Sequence, residues 1–200
     1  MELYLNATSP YARLARIVLL EKGLAESVTL KWCDPWADDA ELLKANPAGR
    51  IPALVTEEGT TLSESMLIAV YLEGVSPSKP MIPVASLGEV LHLAGLGQNL
   101  MDAAFNTVIA RKHDGNEVEA SVLGQRRSKA MQRLLKQLDD ELGEKQRASS
   151  LHLGEIATAV ALDYLAFRLP EKHWKEEYPK LQAWHAGMTA RESFQQTAFC

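Results

Sequence analysis

Only two cysteines occur in 200 residues, Cys33 and Cys200, isolated from each other and lacking any metal-ligand or redox spacing. No disulfide framework is expected, and two free thiols fit a cytoplasmic chain. No apolar run approaches the length of a membrane span, and Glu2 places an acid where a signal peptide needs a basic start. A basic excess is missing as well: 21 Lys and Arg stand against 26 Asp and Glu, a net charge of −5. The deficit lies in residues 1–74, where six basic residues meet eleven acids, while residues 75–200 hold fifteen of each. Without a basic stripe to neutralise phosphates, nucleic acid and anionic membranes are not expected partners. Arg126, Arg127, Lys129, Arg133 and Lys136 do cluster, but Asp139, Asp140 and Glu141 follow closely, so a solvated helix face is expected there.

Apolar residues make up 46% of the chain, enough for a packed core in one large or two small domains. The first part alternates element types. Glu2–Leu5 reads as a strand, Pro10–Lys22 as a helix stopped by Gly23, Ser27–Lys31 as a second strand and Asp38–Ala45 as a short helix. Ala53–Thr56 and Thr60–Leu62 flank Glu57-Glu58-Gly59 as a hairpin, and Ser65–Leu72 reads as a helix. Residues 75–84 have linker chemistry, with Pro77, Pro80 and Pro83. Beyond them helical spacing dominates, as in Met131, Leu134, Leu135, Leu138 and Leu142. Helices are expected near 85–112, 117–142, 153–168 and 177–189, with a short final one. The expected architecture is α/β plus all-α: a mixed α/β domain over 1–74 and an all-helical domain over 85–200.

Three local patterns carry chemistry. In Asn46-Pro47-Ala48-Gly49-Arg50-Ile51-Pro52-Ala53-Leu54, a proline interrupts an apolar run and lacks the N–H that a regular central strand needs. A buried bend would leave the N–H and C=O of Ile51 free to pair with an extended, peptide-like ligand. In Thr8-Ser9-Pro10-Tyr11, Ser9 suits a helix N-cap and Pro10 the first helical position. A capping hydroxyl still has an O–H to donate, and a thiolate at that helix end would receive it. Lowering a thiol pKa from ~8.5 by roughly two units needs about 2.7 kcal/mol. One hydrogen bond to a charged group supplies roughly 1.5–3 kcal/mol and a helix end roughly 0.3–1. In Ser63-Glu64-Ser65, Ser65 can offer its hydroxyl and backbone N–H groups to a carboxylate while Glu64 faces an ammonium. The plainer alternative is that Ser63 or Ser65 merely caps the helix and Glu64 is an ordinary first-turn acid.

Together these motifs, with Leu162-Asp163-Tyr164-Leu165 and Arg168 in the helical half, give a chain that resembles the glutathione transferase family over nearly its whole length. The resemblance implies an N-terminal thioredoxin-like domain that binds glutathione, followed by a C-terminal all-helical domain, as a homodimer. It implies that Pro52 is cis, although only roughly 5–6% of X–Pro bonds are. It implies that Ile51 pairs with the cysteinyl part of glutathione, that Glu64 and Ser65 hold the γ-glutamyl end, and that Arg50 approaches the glycyl carboxylate. Ser9, next to the hydroxyl of Thr8, matches the position facing the thiol.

The implied activity is transfer of glutathione to a small hydrophobic electrophile, with glutathione as co-substrate and no metal or other cofactor. Tyr11, Met101, Phe105 and Tyr164 are candidates to line the electrophile pocket. Serine at position 9 forms no disulfide, so thiol reductase or peroxidase activity ranks lower; a non-catalytic binding module is the rival from another class. Because glutathione is anionic and residues 1–74 carry −5, capture rests on short directed contacts, and micromolar to millimolar affinity is expected. The chain departs from the family at His152 and Glu155, where a Ser/Thr cap and an Asp are usual, so a softer start is expected for that helix. Cys33 reads as an incidental thiol, and Tyr4 as a packing residue.

Overall fold

The computed structural model describes residues 1–77, 79–143 and 151–200; Ser78 of the expected linker lies outside them. These residues divide into two compact units, Met1–Val84 with Ser193–Cys200, and Ala85–Glu192. The tail from Ser193 thus groups with the N-terminal unit, rather than with the helical domain expected over 85–200.

In the N-terminal unit, β1 (Glu2–Leu5) leads into α1 (Pro10–Glu21), which Ser9 caps by accepting from the Ala12 N–H. Gly23 takes φ +70°, a conformation open to glycine, and turns the chain out of the helix. Strand β2 (Thr29–Trp32) then pairs parallel to β1, with Glu2 opposite Thr29 and Leu5 opposite Trp32. The second strand starts two residues later than its composition suggests, because residues 25–27 form a single 3₁₀ turn. Helix α2 (Ala40–Ala45), capped by Asp39, precedes the antiparallel hairpin of β3 (Ala53–Val55) and β4 (Thr61–Ser63). Sheet order is β2-β1-β3-β4, with β3 antiparallel to β1.

Side chains alternate across this sheet. Tyr4 and Ala53 join Leu42 and Ala45 of α2 in one cluster, while Leu3, Leu5 and Leu54 are fully buried at the intervening positions. Helix α3 (Ser65–Val75) packs against α1 and runs three residues beyond its expected end, taking up Gly74. The result is the thioredoxin-like arrangement that the resemblance implies. Its α3 end is tied to the segment that follows. Lys22, whose side chain has no exposed surface, places Nζ 2.6 Å from Glu73 Oε2 and 2.8 Å from the Lys79 carbonyl. Glu73 in turn accepts from the N–H groups of Met81 and Ile82.

The tail is fastened to the same unit. Arg13 is buried in α1, donates to the Phe194 carbonyl at 3.2 Å and to Thr197 Oγ1 at 3.4 Å, and lies over the Phe199 ring. Ser193 donates to Glu21 at 2.5 Å. A buried guanidinium needs such partners, since desolvating it without them is costly.

The second unit is helical, with no strand among its described residues: α4 (Leu87–Asp114), α5 (Val122–Leu142), α6 (Leu153–Arg168), α7 (Trp174–Glu177) and α8 (Pro179–Thr189), with α9 (Glu192–Gln195) at its boundary. The expected helix from 117 opens as a 3₁₀ turn to Ala120, and Ser121 then caps α5. The expected helix from 177 is interrupted at Tyr178, with Pro179 opening α8. Helix α6 is buried along nearly its whole length and packs chiefly on α4, as its all-round apolar sequence requires. Their approach is close: a Cβ on Gly97 would lie 2.6 Å from the Thr158 backbone nitrogen. His152 caps α6 through a reciprocal pair, in which Nδ1 accepts from the Glu155 N–H and the Glu155 carboxylate accepts from the His152 N–H. That start is a complete capping box, firmer than the sequence suggests. The basic residues Arg126, Lys129, Arg133 and Lys136 are exposed on α5, with Arg127 half-buried.

Candidate functional site

The site grows from three places where regular structure stops. At the end of β1, Asn6 Oδ1 accepts from the N–H groups of Thr8, at 3.1 Å, and Ser9, at 2.8 Å. This Asx-type turn sets the start of α1. Ser9 Oγ accepts from the Ala12 N–H at 3.2 Å, and no other described residue takes its O–H proton. One donor is therefore still available at the positive end of a twelve-residue helix.

The second break precedes β3. Asn46, itself buried, donates from Nδ2 to the Arg50 carbonyl at 2.7 Å and accepts from the Ala48 N–H at 3.1 Å. One side chain thus holds the loop closed from inside. The Ile51–Pro52 bond is cis, Pro52 is buried and Ile51 half-buried.

The third break is the entry to α3. Glu64 holds φ +68° and ψ 119°, a region that costs a non-glycine residue roughly 1–3 kcal/mol and clusters at functional sites. No side chain caps α3, unlike α1 and α2 in the same unit. The plainer reading of Ser63 or Ser65 as a helix cap is therefore not what the fold adopts. The first N–H groups of α3 are open to an anion instead.

These breaks converge. Tyr11, Asn46, Arg50, Ile51, Pro52, Ser63, Glu64 and Ser65 line one open cleft with about 240 Å³ of empty space. Arg50 Nη1 lies 3.3 Å from Glu64 Oε1 at its exposed rim. Ser9 is not part of that lining; it stands two residues before Tyr11, at the head of the same helix. Asn46 and Asn6 are the residues to which sequence reasoning gave no role, and Ser63 lines the cleft where it was read only as a helix cap. An Asn directly before Pro47, and another directly after a strand, are the local turn signals that point to Asn46 and Asn6.

The remaining candidates are placed differently. Met101 in α4 is fully buried and Tyr164 in α6 is 2% exposed, so both are core side chains of the helical unit. This corrects the expectation that they offer surface to a substrate, since helical spacing of large apolar residues serves core packing first. Phe105 is half-buried. Burial pushes the Tyr164 phenol above its usual value, with a hydrogen bond from Arg168 opposing. Burial, and then the Asp39 carboxylate, likewise push the Cys33 thiol up, which keeps it protonated and unreactive. Tyr4 is buried in the sheet cluster. Among the described residues no three His, Cys, Asp or Glu side chains are grouped to hold a metal, and no helix is long and apolar enough to cross a membrane.

Comparison with known proteins matches both units. Residues 8–75 fit the family described as glutathione S-transferase, N-terminal domain, and residues 123–187 fit the glutathione S-transferase, C-terminal domain. The chain is 32% identical to the uncharacterized GST-like protein YibF of Escherichia coli, over 98% of both chains. A glutathione transferase family member from Pseudomonas fluorescens, solved with bound glutathione, superposes with a TM-score of 0.88 at 31% identity, over 98% of both chains. A glutathione S-transferase from Methylobacillus flagellatus, solved with GSH bound, gives a TM-score of 0.89 at 29% identity, over 100% of this chain and 99% of that one.

Proposed function

The chain belongs to the glutathione S-transferase family, and we propose that it binds glutathione in the Ile51–Glu64 cleft and conjugates the glutathione thiolate to a small hydrophobic electrophile. The observation that carries this reading is the convergence of Ile51, Pro52, Glu64 and Ser65 on one cleft next to an uncapped helix start. The solved relatives with bound glutathione add to it.

In this reading the ligand answers each unmet group. The backbone N–H and C=O of Ile51 pair with the cysteinyl unit, as an extended peptide pairs with a strand edge. The γ-glutamyl carboxylate sits on the open N–H groups of α3 and the Ser65 hydroxyl, and its ammonium faces Glu64. Arg50 turns from Glu64 to the glycyl carboxylate. The Ser9 O–H donates to the sulfur, so the thiolate is favoured over the thiol before the electrophile arrives. Attack then forms a carbon–sulfur bond, and the electrophile's leaving group departs with the electron pair. Proximity supplies much of the remaining rate. Tyr11, on the wall of the cleft, is the candidate left to contact the electrophile.

A homodimer is proposed as well. Leu67 and Val70, one turn apart on α3, are both more than half exposed, which a lone chain has little reason to display. Light scattering of the purified chain gives its mass directly.

The deciding experiment is titration of glutathione bound to wild type and to Ser9→Ala, read by thiolate ultraviolet absorbance. Loss of one hydrogen bond to a charge is expected to raise the bound thiol's pKa by about one to two units. An unchanged value removes Ser9 from the role. Retention of glutathione without turnover of any aryl halide or peroxide supports the rival reading, a non-catalytic binding module.

A further inference from the structure

Helix α1 carries two arginines one turn apart, and their surroundings differ. Arg13 is buried and matched by the tail. Arg16 is half-buried; it donates to the Gln196 carbonyl at 3.5 Å, lies 5.2 Å from the face of Trp32, and has Cys200 as a favourable electrostatic neighbour, a smaller influence than burial or Arg13. Among the described residues no carboxylate pairs with it. Burial, and then the like charge of Arg13, push its guanidinium below the usual value. A partly desolvated cation beside a second cation is a position that an anion relieves.

An apolar groove lies against this cation. Leu19 and Leu20 of α1 face Val28 and Leu30 at the second strand, with Ala25, Arg16 and Gln196 completing the lining. The groove offers about 200 Å³. A cavity of about 150 Å³ accepts a benzene ring, so a single ring or a short alkyl chain fits and a long lipid tail does not. Strand β2 is at the edge of the sheet, so no further strand covers the outer side. The groove shares no residue with the Ile51–Glu64 cleft.

We infer that this groove is a second ligand site, for a small carboxylate with an apolar body, its ring or short chain between α1 and β2 and its carboxylate on Arg16. Charge complementarity selects the occupant. A neutral molecule of the same shape leaves the guanidinium unanswered, and an amine meets the like charge of Arg16. Apart from Gln196, the residues around it belong to the acidic part of the chain, so Arg16 is a local feature and not part of a basic surface.

Calorimetric titration of the full chain with phenylacetate tests this, with phenethyl alcohol and phenethylamine as controls of the same body, each in the absence and presence of saturating glutathione. Phenylacetate is expected to saturate at least tenfold more tightly than the alcohol, the amine not to bind, and glutathione to leave the phenylacetate affinity unchanged. Arg16→Gln is expected to weaken phenylacetate about tenfold, and Arg16→Lys, which keeps the charge but not the fork, by less. Absence of saturation, equal affinity for the alcohol, indifference to both Arg16 variants, or competitive displacement by glutathione each overturns the assignment. If Arg16→Gln does not fold, the Arg16→Lys shift and the comparison of the three probes decide.

Discussion

Arg50 and Glu64 meet across the rim of the cleft, Nη1 to Oε1 at 3.3 Å, each more than half exposed. Such a pair contributes about 0–1 kcal/mol to stability. In the proposed reading its value lies in holding two opposite charges where a zwitterionic ligand can separate them.

Glu64→Gln should leave the denaturation midpoint nearly unchanged, within about 0.5 kcal/mol, because an exposed ion pair is lost. Glutathione affinity should fall by roughly tenfold, since the ligand ammonium loses its anion. Calorimetry and urea denaturation of the same preparation separate the two effects. Equal loss of both would show that Glu64 serves the fold and not the ligand.

The Lys22–Glu73 pair should give the N-terminal unit an acid-sensitive component. Burial pushes the Glu73 carboxyl up, but Lys22 and the Met81 and Ile82 N–H groups outweigh it and hold the group below its usual value. A carboxyl depressed on folding adds stability that is fully present above its unfolded pKa, ~4.3, and drains away as pH falls through the lower folded value. Glu73→Gln should cost roughly 2–4 kcal/mol at neutral pH, as Lys22 is left buried without its partner. The difference from wild type should shrink below about pH 4. Urea midpoints measured from pH 7 to pH 3 check both the size and the direction.

Gly97→Ala should destabilise the helical unit by about 1–3 kcal/mol. The added methyl would meet the backbone of Thr158 at 2.6 Å and that of Ala157 at 2.7 Å, and neither can rotate aside. Gly88→Ala, on the same helix with nothing within 4 Å, is the control and should be neutral or slightly stabilising. Thermal unfolding of both variants checks this.

His152→Ala should cost up to about 1 kcal/mol, because the Glu155 N–H loses the Nδ1 acceptor and keeps only the residue-152 carbonyl at 3.0 Å, while the Glu155 carboxylate keeps the residue-152 N–H. His152→Thr should restore the box and match or exceed wild type. Denaturation midpoints decide it; a neutral alanine variant would mean that burial of α6, and not its cap, fixes the helix start.

Elements bounded by local chemistry were legible in the sequence. Strand β1 falls on the expected residues, and α1 ends one residue short of its expected end, since Ser9-Pro10 and Gly23 act through adjacent peptide groups. The cis Ile51–Pro52 bond is present as the resemblance implies. Elements whose ends depend on a partner shifted: β2 takes its register from β1, and α3 continues through Gly74 because Glu73 is held by Lys22. Met101 and Tyr164 show the same limit in the site, for helical spacing says that a side chain is apolar but not whether it meets core or solvent.

The sequence by itself determined the order of elements, the bend before Pro52, the cap at Ser9 and the serine–acid–serine entry to α3, because each is settled by sterics and hydrogen bonds within a few residues. Tertiary structure alone decided that Arg50 answers Glu64 across 14 residues, that Lys22 answers Glu73 across 51, and that Arg13 takes the Phe194 carbonyl across 181. It also decided that Arg16, one turn further along the same helix, keeps its charge unanswered by any described carboxylate beside an apolar groove. Charges find partners only where the chain has already been folded into reach, and no local rule encodes that distance.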